Sequence, residues 1–392
     1  MKSNILFIHG GGPTAVINCS LWGVISEAGR HGELEHLYAA VGGTGGFLRE
    51  QLVDLRQVGE DELARLCHTP GSAIGTSRDA LDDGDYVRIA ELAEKHRIKH
   101  IVMNGGNGTM DACMRLHAVC RERGIGVIGL PKTMDNDLMH TDHTPGYGSA
   151  ARYVAASVAE VAADVASMPH HIVIIEVSGR DAGWIAASAA MASINGNAGA
   201  DLIYMPERPF SEQAFLSDVS RLIETKGAGV VVVSEGLRGE DGQPLVTPTR
   251  IVGRSVSYGN IAGYLATLVT DRLGYKARGE KPGLLGRASI AWQSEVDREE
   301  AILAGREAVR AVMSGESGKM VVFERVSNQP YAIKTGLVPL SKVALHTRTL
   351  PDEFINEAGN YPTAEFVSYL KPLLGAPLPR FVSFRQTVMA GV

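Results

Sequence analysis

Short, continuous apolar runs recur along the chain, and each ends in glycines or polar residues. Asn4–His9 runs into Gly10-Gly11-Gly12, His100–Met103 into Asn104-Gly105-Gly106, and Gly126–Leu130 into Pro131. Further on, His171–Val177 leads to Ser178-Gly179-Arg180, and Gly229–Val233 to Ser234-Glu235-Gly236. Runs that are continuous rather than alternating predict strands buried on both faces, as in a parallel sheet. The stretches Val16–Ala28, Tyr86–Arg97, Asp111–Arg123 and Ala150–Val165 carry helical spacing instead. Strand and helix alternating in this way predict a doubly wound α/β architecture. Ligands of such sheets bind beyond the carboxyl ends of the strands, where these glycines and charges fall.

A length of 392 residues suggests two domains. A break is expected near Gly146–Ser149, and Asp297–Met313 reads as a helix returning to the first domain. The last fifty residues are rich in proline (Pro351, Pro362, Pro372, Pro377, Pro379) and hard to place. Apolar residues make up 45% and charged residues 21%, with a formal net charge of −6. That balance offers no basic field for nucleic acid or an anionic membrane. The apolar run Ile5–Ile8 is too short for a signal peptide, and the Ala-rich segment Ala186–Ala192 stops at Ser193. Cys113 and Cys120 would stand roughly 10.5 Å apart along a helix, too far to pair, and Cys19 and Cys67 have no metal-site neighbours. A reducing, cytoplasmic location is the expectation.

Phosphoryl chemistry is the strongest theme. Pro131-Lys132-Thr133-Met134-Asp135-Asn136-Asp137 puts a cation for phosphoryl oxygens beside carboxylates that can take a proton. It follows the loop Asn104-Gly105-Gly106-Asn107-Gly108-Thr109, whose backbone N–H groups can approach phosphate closely. Gly11-Gly12-Pro13-Thr14 stands between a strand and a helix, so it is either an anion site or a plain turn. Gly71–Arg78 offers hydroxyls and a guanidinium, which equally fit a phosphate contact or a surface loop. Arg180 and Glu235 follow buried strands, whereas Arg278 and Arg287 flank a Lys-Pro-Gly turn and read as a clamp or as solvated charge.

In this order, over about Met1 to Gly315, the motifs resemble the phosphofructokinase family. The resemblance implies two Rossmann-like domains with the active site in the cleft between them. Residues 1–147 plus about 288–335 would bind the phosphoryl donor, and 148–287 plus about 336–392 the sugar. It implies Asp135 as the base for the sugar's 1-hydroxyl, with Lys132, Thr133 and Arg180 also catalytic. Gly11, Gly12, Arg78, Gly106, Gly108, Thr109 and Lys132 match donor positions. Thr133, Asp135, Asp137, His171, Ser178, Gly179, Arg180, Glu235, Arg278 and Arg287 match acceptor or transition-state positions. It also implies Mg²⁺, and a homo-oligomer, dimer or tetramer, in which His171 and Arg278 act across the interface.

Three departures qualify that pattern. Asn107 stands where the family has an aspartate serving the metal, so Mg²⁺ would depend on Asn107 weakly and on Asp137. Ser178 replaces a methionine beside the sugar, and His171 and Leu284 replace basic or polar groups on the 6-phosphate. Weak use of fructose 6-phosphate, with a related sugar preferred, is therefore expected. Lys132 is the mark of pyrophosphate-using members, while Gly108 would admit ATP; pyrophosphate is favoured. The alternatives are a non-catalytic sugar-phosphate sensor, against which Asp135, Asp137, Lys132 and Arg180 all argue, and a dinucleotide oxidoreductase. The latter would need Gly-x-Gly-x-x-Gly after the first strand, which is absent.

Overall fold

The run predicted at Asn4–His9 is strand β1 (Ser3–His9), buried along all but its first residue. The computed structural model describes residues 2–168, 171–247, 250–252, 255–257 and 259–384; the stretch 385–392 of the expected acceptor domain lies outside them. After β1 come α1 (Ile17–Ala28), β2 (Leu34–Ala40), α2 (Gly43–Leu48), β3 (Leu52–Asp54), α3 (Glu60–Leu66), α4 (Asp83–Lys95), β4 (Ile98–Gly105), α5 (Asn107–Cys120) and β5 (Gly126–Pro131). The chain continues through α6 (Tyr147–Ser167), β6 (Ile172–Val177), α7 (Trp184–Ala187), β7 (Leu202–Tyr204), α8 (Glu212–Lys226) and β8 (Gly229–Ser234). The last elements are β9 (Arg250–Val252), β10 (Ser255–Ser257), α9 (Ile261–Leu273), β11 (Ala277–Glu280), α10 (Leu285–Ala288), α11 (Glu295–Met313), β12 (Lys319–Asn328), β13 (Tyr331–Pro339) and α12 (Ala364–Leu370).

Two larger sheets result. One is seven-stranded in the order β13-β12-β5-β4-β1-β2-β3, and the other four-stranded in the order β11-β6-β8-β7. Every pairing in the second is parallel, and β12-β5-β4-β1-β2 forms the parallel centre of the first. The fold is thus α/β, as the apolar runs predict. Each of those runs has a physical reason to be continuous: Ile5, Phe7, Val102, Ile128 and Leu130 face α1 and α11, while Leu6, Ile8, Ile101 and Met103 face α4 and α5.

The helices start where side chains satisfy their first N–H groups. The Asp82 carboxylate accepts from Asp85 N, and Asp85 reciprocates at Asp82 N, a capping box that opens α4. Ser294 Oγ accepts from Asp297 N at the start of α11, and the Asp297 carboxylate in turn accepts from Gly146 N (2.8 Å) and Ser149 N (2.9 Å) at the start of α6. One acidic side chain therefore ties α11, packed on α1, to the long helix of the second sheet. The proline-rich C-terminal stretch wraps that second unit: Leu350, Ile355, Phe366, Tyr369, Leu370 and Leu373 are buried in the cluster that holds Trp184 and α6. All four cysteines are free thiols.

Candidate active site

The carboxyl ends of β1, β4 and β5 face those of β6 and β8 across a cleft of about 670 Å³. Gly11, Gly12, Arg78, Gly106, Asn107, Gly108, Thr109, Lys132, Thr133, Asp135, Asp137, Ser178, Arg180, Glu235 and Arg287 all line it. Motifs far apart in sequence thus converge on one space. Gly179 is buried behind Ser178 and does not line the cleft. His171 and Arg278 lie elsewhere too: His171 is buried just before β6, at the opposite end of that strand from the cleft, and the Arg278 side chain is 71% exposed on β11. The pairing Arg278↔Val173 puts Arg278 beside the first half of β6, towards the end where His171 lies.

On the first wall, Lys132 is almost fully buried and its Nζ donates to Gly12 O at 2.5 Å. A Cβ on Gly12 would sit 2.6 Å from Arg287 Nη1 and 3.4 Å from Arg78 Nη2, so both guanidinium groups reach this glycine. Gly11, at φ +75°, turns the backbone beneath the Lys132 ammonium. Burial lowers the Lys132 pKa to about 8; Asp135 opposes that fall, while Arg287 and Arg78 add to it. Arg287, expected on the sugar's phosphate, thus reaches the glycine loop as well. A Cβ on Gly108 would meet nothing within 4 Å. The space beside the loop is open.

At the centre, Asp135 N donates to Thr133 Oγ1 (3.1 Å), and the Thr144 hydroxyl donates to Thr133 O (2.7 Å). Burial lifts the Asp135 pKa to about 7; Asp137 and Glu235 push the same way, and Lys132 and Arg180 pull against them. A carboxylate poised near neutrality suits a general base. Asn107 Nδ2 donates to Asp137 Oδ2 at 3.0 Å, leaving Asn107 Oδ1 and Asp137 Oδ1 as buried acceptors without a hydrogen-bond partner. Two hard oxygens left in this way fit a Mg²⁺ ion that keeps most of its shell from water and phosphate. No group of three or more His, Cys, Asp or Glu able to hold a metal occurs among the described residues.

On the second wall, Glu176 is buried in β6, where it accepts from Ala262 N (3.2 Å) and forms an ion pair with Lys281. Both line the cleft, and sequence reasoning passed over the pair. The signal was a carboxylate inside the apolar run His171–Val177, since a buried charge demands a partner. Leu284 lines the same end and is 66% exposed. No helix among the described residues is long and apolar enough to cross a membrane.

Residues 4–312 match the phosphofructokinase family. A pyrophosphate–fructose 6-phosphate 1-phosphotransferase of Xanthomonas campestris pv. campestris is 37% identical, over 99% of this chain and 98% of its own length. A sulfofructose kinase of Alkalicoccus urumqiensis is 33% identical over 90% of this chain and 91% of its own. The crystal structure of a pyrophosphate-dependent phosphofructokinase from Nitrosospira multiformis superposes with a TM-score of 0.88 at 35% identity, over 97% of this chain and 94% of that one. The chain belongs to the phosphofructokinase family. It is a phosphotransferase of that type, with the two-domain α/β fold of its structural neighbours.

Proposed function

We propose that the protein moves a phosphoryl group from pyrophosphate to the 1-hydroxyl of fructose 6-phosphate in the cytoplasm. The observation that carries the donor is the convergence of Lys132, Arg78 and Arg287 on Gly12. Cations concentrated on one spot suit a compact polyanion. A nucleotide would spread its binding over a base and ribose, for which the open space at Gly108 leaves room, so ATP is the slower donor. The relatives named for pyrophosphate support the same reading.

In this mechanism Asp135 takes the proton from the acceptor hydroxyl as its oxygen attacks the terminal phosphorus. Arg180 stabilises the equatorial oxygens, and Lys132 with the two arginines holds the departing phosphate; positioning and charge do most of the work. Asn107 and Asp137 would hold Mg²⁺, which when bound supplies charge neutralisation for the pyrophosphate oxygens.

A second reading concerns the acceptor. Leu284 donates no hydrogen bond, and Lys281 already answers Glu176. A cleft short of cations at this end suits a sugar with a weaker anion at carbon 6, such as the sulfonated fructose suggested by the Alkalicoccus relative. Pyrophosphate, ATP and ADP crossed with fructose 6-phosphate, 6-sulfonated fructose and free sugars, followed by phosphorus NMR, test both readings. Turnover with pyrophosphate and fructose 6-phosphate is expected. Turnover with ATP alone overturns the donor, and a much higher kcat/KM with the sulfonate overturns the acceptor.

A further inference from the structure

The match to the family stops at residue 312, yet the turn carrying Asp135 and Asp137 is held from behind by residues beyond it. Arg348 N donates to Asp137 O at 2.8 Å, and Arg348 Nη1 donates to Asp142 O at 2.6 Å. The same guanidinium lies 4.2 Å from the centroid of the Trp184 ring, whose Nε1–H returns to Arg348 O at 3.2 Å. Trp184 opens α7, directly after the loop of Arg180. Arg348 thus touches the catalytic turn on one side and the acceptor wall on the other.

Tyr369 supplies the second hold. Its hydroxyl accepts from Asn136 Nδ2 at 3.1 Å and donates to Asp142 O at 2.7 Å. Asn136 is fully buried with φ +56°, in the left-handed region. A non-glycine residue stays in that region only where its surroundings over-determine it. Tyr369 is itself fixed, because Arg325 Nη1 donates to Tyr369 O at 2.7 Å and the Arg325 guanidinium lies 4.4 Å from the ring centroid.

We propose that Arg348 and Tyr369 are positioning residues for phosphoryl transfer: the C-terminal segment fixes the Asp135–Asp137 turn against the Arg180 loop. The inference rests on the roles given above to Asp135 and Arg180. Loss of either contact frees the turn to relax, and a misplacement of about 1 Å between reacting groups can cost on the order of 10²-fold in rate.

Tyr369→Phe is the sharpest test, because it keeps the ring against Arg325 and removes only the hydroxyl; Arg348→Lys and Arg348→Ala accompany it. Tyr369→Phe should lower kcat by about tenfold or more, with KM for pyrophosphate and the unfolding midpoint near wild type. Arg348→Ala keeps the backbone N–H bonded to Asp137 O and removes the guanidinium that holds residue 348 on Asp142 O and the Trp184 ring, so kcat should fall as well, and Arg348→Lys should recover part of that loss. Amide hydrogen exchange supplies a readout that needs no substrate: exchange across 133–138 should quicken in Tyr369→Phe and Arg348→Ala, while β4 and α5 stay protected. Unchanged kcat and unchanged exchange in both variants overturn the proposal. So does quickened exchange throughout the second sheet, which would make the contacts general packing. A wild-type protein inactive with every donor and acceptor would overturn the proposed reaction, and the exchange measurement would still decide whether Arg348 and Tyr369 hold the turn.

Discussion

On the wall proposed to hold the donor, Lys132, Arg78 and Arg287 crowd around Gly12, whereas on the wall proposed to hold the acceptor Lys281 is engaged by Glu176 and the Arg278 side chain lies exposed on the outer strand. The first wall concentrates positive charge where glycine leaves room for it. The second carries Arg180 and Lys281, and Lys281 is paired with the buried Glu176 carboxylate. On the proposed assignment, three cations meet at the donor side, while the acceptor side has Arg180 and a Lys281 already paired with Glu176.

Between the walls stands Asp135, and its removal is the largest expected effect. Asp135→Ala should reduce kcat by about 10²–10⁴-fold, the usual contribution of a positioned base, with ligand affinities largely kept. Steady-state kinetics with isothermal titration of pyrophosphate checks both halves. A variant retaining more than half of wild-type kcat would remove Asp135 from the mechanism.

Lys132→Gly probes the donor wall alone. Pyrophosphate use should fall by at least about tenfold more than ATP use, because the lost ammonium is a charge-assisted contact that a nucleotide can replace with binding elsewhere. Equal losses with both donors would show that Lys132 is a general phosphate contact and that the crowding at Gly12 does not choose the donor.

The two walls also differ in how far they could be read from sequence. The donor wall is built from contiguous strand–glycine–helix motifs, and every residue expected there lines the cleft. The second wall depends on long-range pairing: only the register of β11 on β6 shows that Arg278 lies beside the first half of β6, and neither it nor His171 lines the cleft. The β12–β13 hairpin was not legible because its outer half alternates only half-buried and exposed positions, with Glu324, Arg325 and Lys334 among them, so no apolar face marks it as strand. Arg348 lies in an irregular part of the proline-rich tail, whereas Phe366, Tyr369, Leu370 and Leu373 keep the helical spacing of α12 and continue it. They pack against a surface made by another part of the chain, and no local pattern records that.

Asn107→Asp tests the metal at the junction of the walls. The substitution exchanges a 3.0 Å amide–carboxylate hydrogen bond for two adjacent carboxylates. The half-saturating Mg²⁺ concentration should fall several-fold, since a divalent ion prefers carboxylate oxygen. Without Mg²⁺ the variant should unfold at a lower temperature than wild type, through like-charge repulsion. An unchanged Mg²⁺ dependence would place the ion away from Asn107 and Asp137.

The smallest expected effect belongs to the joint that keeps both walls in register. His143 is buried, with Nδ1 2.8 Å from Asp142 Oδ2 and Nε2 2.6 Å from Glu300 Oε2, and its neighbour Thr144 holds the carbonyl of Thr133. Burial alone would lower its pKa, but the Glu300 carboxylate and the hydrogen bonds to Asp142 and Glu300 outweigh that and raise it to about 9. The unfolded chain titrates near 6.5. Because the folded value is the higher one, the stabilisation from protonated His143 is complete below about pH 6.5 and is lost as pH rises through about 9. Within that window the group contributes a downward slope of at most about 1.4 kcal/mol per pH unit. Arg325, which also pairs with Asp142, keeps part of the joint intact when the imidazole loses its proton. Urea unfolding of wild type and His143→Gln across pH 6 to 9 measures the difference. The wild-type profile should fall with pH and the variant's should be flatter and lower at pH 6, the two converging towards pH 9. Parallel profiles would mean that His143 is neutral in the folded protein, with the carboxylates around it answered by Arg325 and the Tyr331 hydroxyl instead.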